Sequence, residues 1–64
     1  MAGRLLTTAE VAERLGVVES TVRWWRHVGS TGPRSFTIGS RVRYREEDVE
    51  AYLENQYATT ARGA

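Results

Sequence analysis

The chain has 64 residues, no cysteine, one histidine and a formal net charge of +1, with nine arginines and no lysine supplying all the positive charge. That length makes one domain, which buries only about 60% of the surface its unfolded chain exposes. The missing cysteines exclude a disulfide framework and a thiolate metal site, and His27 alone cannot build a zinc site. No apolar run approaches the roughly 18 residues of a membrane span, and the N-terminus lacks a signal-peptide core. The expected location is the cytoplasm. The net charge hides a segregation: Ser20 to Arg45 holds six arginines (Arg23, Arg26, Arg34, Arg41, Arg43, Arg45) and no acid. The rest of the chain has three arginines against eight acids, so +6 is balanced by −5. Segregation of that size is the footprint expected for a polyanion partner, although a basic solvated face would carry it too.

In chain order, residues 1–5 carry no pattern and read as a flexible N-terminus. Thr7 and Glu10 then have the spacing of a capping box, and Leu6 and Val11 that of a hydrophobic staple. Two start signals agree on a helix from about Thr8, with Val11, Ala12 and Leu15 as its apolar face and Gly16 as its stop. Only Val17, Val18 and Glu19 separate it from a second helical pattern. Val22 and Trp25 point that helix inward, while Ser20, Thr21, Arg23, Trp24 and His27 fall largely on the other side. Helices joined by so short a turn cross steeply, in helix-turn-helix geometry. The second helix ends near Val28, and Gly29 to Pro33 is a loop.

Ser35 to Ile38 and Val42 to Tyr44 alternate with period two and predict a hairpin. A two-residue Gly39-Ser40 turn would pair Phe36 and Ile38 with arginines. A three-residue loop, Gly39-Ser40-Arg41, keeps Phe36, Ile38, Val42 and Tyr44 on one apolar face, and is the expected register. Thr37 and Arg43 then lie on the outer face and Arg41 at the tip. Glu46, Glu47 and Asp48 start a third helix, with Val49, Tyr52 and Leu53 as its buried stripe. The pattern fades from Asn55, so residues 55–64 read as a flexible tail around a domain at 6–54.

The run Leu5-Leu6-Thr7-Thr8-Ala9-Glu10-Val11-Ala12, with Leu15-Gly16-Val17, Ser20-Thr21-Val22-Arg23, Trp25, Ile38-Gly39-Ser40-Arg41-Val42-Arg43-Tyr44 and Glu47-Asp48-Val49-Glu50-Ala51-Tyr52-Leu53, resembles the small winged helix-turn-helix proteins of the MerR-like and excisionase (Xis/AlpA) group. Trp25-Arg26-His27 followed by Gly32-Pro33-Arg34-Ser35-Phe36 is similar to the excisionase-like members. Val18 departs from the group, which usually has a small polar cap there, so the second helix opens at Glu19 or at Ser20. The resemblance implies a mainly α fold with a small β-hairpin: helix-turn-helix, two-stranded wing, third helix.

It also implies double-stranded DNA as partner, with the second helix in the major groove and the wing along the adjacent backbone. Ser20, Thr21, Arg23, Trp24 and His27 would face the groove, Arg23 as a bidentate guanine contact. Arg26 and Arg34 would hold phosphates, and Ser40, Arg41 and Arg43 would serve the wing. The leading expectation is an excisionase that binds cooperatively, bends attachment-site DNA and biases an integrase toward excision. The alternatives are a small MerR-like regulator without an effector domain and a protein-interaction module using the acidic third helix. Only about ten residues follow Leu53, too few for the dimerising helix of a full MerR regulator. No catalytic residue, cofactor, metal or small-molecule substrate is expected: the chain lacks a phosphate-binding glycine loop with its lysine and a plausible carboxylate pair.

Overall fold

The computed structural model describes residues 3–63. The elements run β1 (Leu5–Leu6), α1 (Thr8–Leu15), α2 (Glu19–Val28), β2 (Phe36–Ile38), β3 (Arg41–Arg45) and α3 (Glu46–Thr60). The three helices and the small antiparallel sheet form a winged helix-turn-helix.

Helix α1 starts where the local chemistry demands. The Glu10 N–H donates to the Thr7 hydroxyl at 3.1 Å, and the Thr7 N–H donates to the Glu10 carboxylate at 2.8 Å. Two amides left without helical partners are thereby satisfied. The Thr7 amide bond, more than the nearby Arg4 and Arg43 charges, holds the Glu10 carboxyl below the usual carboxylate range. Helix α2 opens at Glu19, with Val18 as an N-cap that makes no side-chain hydrogen bond.

The sheet departs from expectation in two ways. First, the wing has a third strand: β1 pairs with β3 (Leu5 with Arg45, Leu6 with Tyr44), giving the order β1-β3-β2. Within the segment expected to be flexible, Gly3 and Arg4 are tied to the start of α3, while residues 1 and 2 lie outside the described residues. The Glu46 N–H donates to the Arg4 carbonyl at 2.9 Å, and the Gly3 N–H donates to the Glu47 carboxylate at 3.3 Å. Second, Ile38 pairs with Arg41, Thr37 with Val42 and Phe36 with Arg43. The turn is therefore the two-residue Gly39-Ser40, and the expected three-residue loop is wrong. Gly39, at φ 62°, occupies the first central position in the left-handed region that glycine adopts without strain.

Cross-strand partners share a face. Leu6, Val42 and Tyr44 consequently face the core, with the exposed Thr37 at the rim of the same face, while Phe36 and Ile38 lie outside with Arg41 and Arg43. Phe36 is 37% exposed and Ile38 52%, so neither joins the core as expected. Thr37 likewise shares the face of Val42 instead of that of Arg43, and stays exposed. The expected register failed because it required four apolar residues on one face; the sheet buries only Leu6 and Tyr44, with Val42 half-buried beside them.

The core is Leu6, Val11, Ala12, Val22, Tyr44 and Val49, with Leu15, Val17, Trp25 and Val42 packed around it. Leu53, expected in the buried stripe, is exposed. Helix α3 continues to Thr60, beyond Asn55 where the apolar pattern stops, so the segment read as a flexible tail is largely helical here. Two contacts tie α3 to the other helices. The Trp25 and Tyr52 rings meet at 5.6 Å, tilted by 57°. Arg14 on α1 donates to Glu46 at 2.9 Å and to Glu50 at 2.7 Å.

The loop 29–35 returns over α2. Gly32 sits at φ 82°, where a Cβ would lie 2.8 Å from the Trp25 Cβ. Strain and overlap act together, so Gly32→Ala is expected to destabilise the fold by more than about 1 kcal/mol. The shift in urea midpoint at unchanged slope measures this. Hydrogen bonding from Arg14 lowers the Glu46 carboxyl below its ordinary value. A carboxyl lowered by folding stabilises above its unfolded pKa and loses that contribution as pH falls through the folded value. Arg14→Met should therefore melt earlier than the parent at pH 7, and the gap should close below about pH 4. Thermal melts across pH read both limbs.

Candidate nucleic-acid interface

The outward face of α2 follows from its inward one. Val22 is fully buried and Trp25 half-buried, which turns Ser20, Arg23, Trp24 and His27 to solvent. Trp24 is 60% exposed, and among the described residues its ring packs on no other aromatic. Thr21 is half-buried, on the flank of that face. Of the residues expected to face a groove, it is the one least presented.

Arg26 points to the side of α2 and lines two adjoining hollows. One is formed by Thr8, Arg23, Arg26, His27 and Val42, between α2, the start of α1 and the wing. The other is formed by Trp25, Arg26, Arg34 and the loop 29–35. Together they set Arg23, Arg26, His27 and Arg34 in one band along α2 and its following loop. Tyr44 underlies the band: burial raises its phenol, while the Arg26 charge and Thr8 draw it back.

The wing residues divide. Ser40 sits in the turn and Arg41 beside it, both exposed. Arg43 is half-buried and donates to the Val42 carbonyl at 2.7 Å, and its charge acts on Glu10 of α1. It does not join the hollow beside α2.

Ion pairing sorts the six arginines of the basic stretch. Arg23 pairs with Glu19 and Arg45 with Glu47, both acids lying just outside the stretch. Among the described residues Arg26, Arg34, Arg41 and Arg43 make no ion pair with an acid; Arg26, Arg34 and Arg41 are exposed, while Arg43 is half-buried against its own strand. Outside the stretch, Arg4 and Arg14 are consumed by Glu10, Glu46 and Glu50. The flanking acids thus pair with Arg4 and Arg14 of the scaffold, keep that side net negative, and leave the α2, loop and wing surface positive. Among the described residues no three His, Asp or Glu side chains gather as a metal site would require, and no helix is long and apolar enough to cross a membrane.

Two residues of this surface, Thr8 and Glu19, are not among the expected site residues. Thr8 lines the hollow, but in the sequence it reads only as the first residue of α1. Glu19 reads as an acid at a helix start; its pairing with Arg23 was available from the four-residue spacing.

Comparison with family models matches residues 5–57 to a helix-turn-helix domain. The match spans α1, α2, the wing and most of α3. The chain belongs to this helix-turn-helix family, in its excisionase/AlpA-type group, and is a DNA-binding protein. Comparison with curated proteins and with solved structures gives no match.

Arg26 lines both hollows and has no acid partner, whereas Arg62, beyond the end of α3, lies outside them. Arg26→Ala should weaken binding to every duplex and flatten the plot of log affinity against log salt by about one unit. Arg62→Ala should leave the slope unchanged. Titrations of random duplex at several salt concentrations provide the comparison.

Proposed function

We propose that the chain is an accessory DNA-binding factor of the excisionase kind. It binds repeated sites cooperatively, bends the duplex and biases an integrase toward excision. The family match and the residues that resemble excisionase-like members support this reading. The observation that carries it is the arginine band along α2 and its loop, free of acids except Glu19, with a second arginine at the wing tip.

In this reading α2 lies in the major groove. Ser20, Thr21, Arg23, Trp24 and His27 meet base edges or the groove wall. Arg23 supplies the fork of N–H donors that matches O6 and N7 of guanine, worth about 1–3 kcal/mol of discrimination. Trp24 offers an apolar face to a sugar or a thymine methyl. Arg26 and Arg34, on either side of the second hollow, hold phosphates and set the register without reading sequence. Ser40 and Arg41 reach the adjacent backbone or minor groove. Arg43 does so after leaving the Val42 carbonyl. One small domain covers little more than one half-site, so neighbouring copies on adjacent sites account for cooperative binding.

A small transcription regulator would use the same protein–DNA interface and differ in what the bound complex does. Footprinting on an attachment site with and without the cognate integrase separates the two. Extended, cooperative protection and integrase-dependent excision are expected; protection confined to a promoter, with no effect on excision, would overturn the excisionase reading. In the same assay Arg23→Ala should bring the specific site down to the affinity of random duplex while leaving that weaker binding in place. Equal losses on both would make Arg23 a phosphate contact.

A further inference from the structure

One acid stands on the proposed DNA face. Glu19 opens α2 one turn before Arg23, and its carboxylate accepts a hydrogen bond from Arg23 Nη2. It is the last acid before the acid-free stretch. Its place is unexpected on electrostatic grounds. A carboxylate beside a groove is repelled by the phosphates whatever the sequence, so it lowers affinity for all DNA. The ion pair's own contribution to stability does not account for it either, because both partners are solvent-exposed, at 63% for Arg23 and 40% for Glu19. Exposed pairs of this kind contribute little to folding.

The effect of the pair falls on Arg23 itself. A free arginine on a helix surface samples many rotamers and is drawn to the nearest phosphate. A carboxylate on Nη2 restricts those rotamers and offsets part of the charge. The other N–H donors of the guanidinium fork stay available for a planar acceptor pair. The pair also gains strength when DNA excludes water from it. We infer that Glu19 is the positioning residue for Arg23: it holds the guanidinium for bidentate contact with a base and suppresses its use as a phosphate contact. The inference rests on the reading of Arg23 as a base contact.

Two other roles are open to the same side chain. Glu19 is an acid in the first turn of a helix whose N-cap, Val18, makes no side-chain bond, so it could act only through the helix dipole. It could also read a base directly, by accepting from cytosine N4. Selection from randomised duplexes, followed by titration on the selected and on random duplex at fixed salt, distinguishes all three. The proteins are the parent, Glu19→Gln, Glu19→Asp and Arg23→Ala, each melted by circular dichroism.

If Glu19 positions Arg23, Glu19→Gln binds random duplex more tightly and loses about fivefold or more in the ratio of selected to random binding. The lost preference falls at the same base pair that Arg23→Ala loses. Glu19→Asp keeps the charge at the helix start but is one methylene short of the guanidinium, and it shows the same loss. It also serves as the test variant should Glu19→Gln fold poorly. Loss of preference at a different base pair would make Glu19 a direct reader and overturn the inference. So would a Glu19→Asp protein that behaves as the parent, or a lowered melting temperature with an unchanged ratio. If Arg23→Ala retains every base preference, the underlying reading of Arg23 fails, and this inference with it.

Discussion

The burial of Tyr44 is the contact on which the rest of the molecule depends. It is the largest fully buried side chain, on the inner face of β3 and opposite Leu6 of β1. It shares one cluster with Val11 of α1, Val22 of α2 and Val49 of α3, so every helix meets the sheet there. A chain this short has no second core to fall back on. The phenol also reaches the surface end of that core, where Thr8 and Arg26 lie beside it. The same side chain that joins the scaffold thus sits beneath the hollow between α2 and the wing.

Around that core, acids and arginines are arranged to separate scaffold from surface. Arg14 clamps α1 to the start of α3, Arg4 pairs with the capping Glu10, and Arg45 pairs with Glu47 where β3 gives way to α3. These contacts are exposed or partly so and add little individually to stability. Their larger consequence is the field they leave. Acids stay in excess on the α1 and α3 side, and the arginines without an acid partner among the described residues lie on α2, the 29–35 loop and the wing. Placing like charges together this way gives a small, nearly neutral protein a face able to attract a polyanion.

Much of the fold was legible because its signals are local. The Thr7–Glu10 capping box and the Leu6–Val11 staple specify the start of α1 within six residues. The short turn after Gly16 implies steep helix crossing, and Val22 with Trp25 orients α2. Each involves groups close in sequence, whose geometry is set by helical spacing. The wing register was not legible in that way. The sequence is compatible with two pairings, and the choice between them depends on which face of β3 is covered. Only the positions of α1, α2 and α3 answer that, and they cover Val42 and Tyr44 while leaving Phe36 and Ile38 outside. Strand β1 was missed for a related reason: two residues carry no periodicity, and they become a strand only because β3 offers an unpaired edge. The helical course of α3 past Asn55 likewise left no apolar trace, because those residues touch no core.

The sequence by itself determined the helix-turn-helix, the presence of a hairpin, the acidic start of the third helix and the clustering of arginine between Ser20 and Arg45. These rest on spacing, capping and charge, which act over a few residues. Tertiary structure alone decided which arginines keep their charge free, that Arg26 belongs to two hollows at once, that Arg43 turns back to its own strand, and that Phe36 and Ile38 face solvent. Those outcomes require knowing which distant groups meet, and that is settled by how six side chains close one small core.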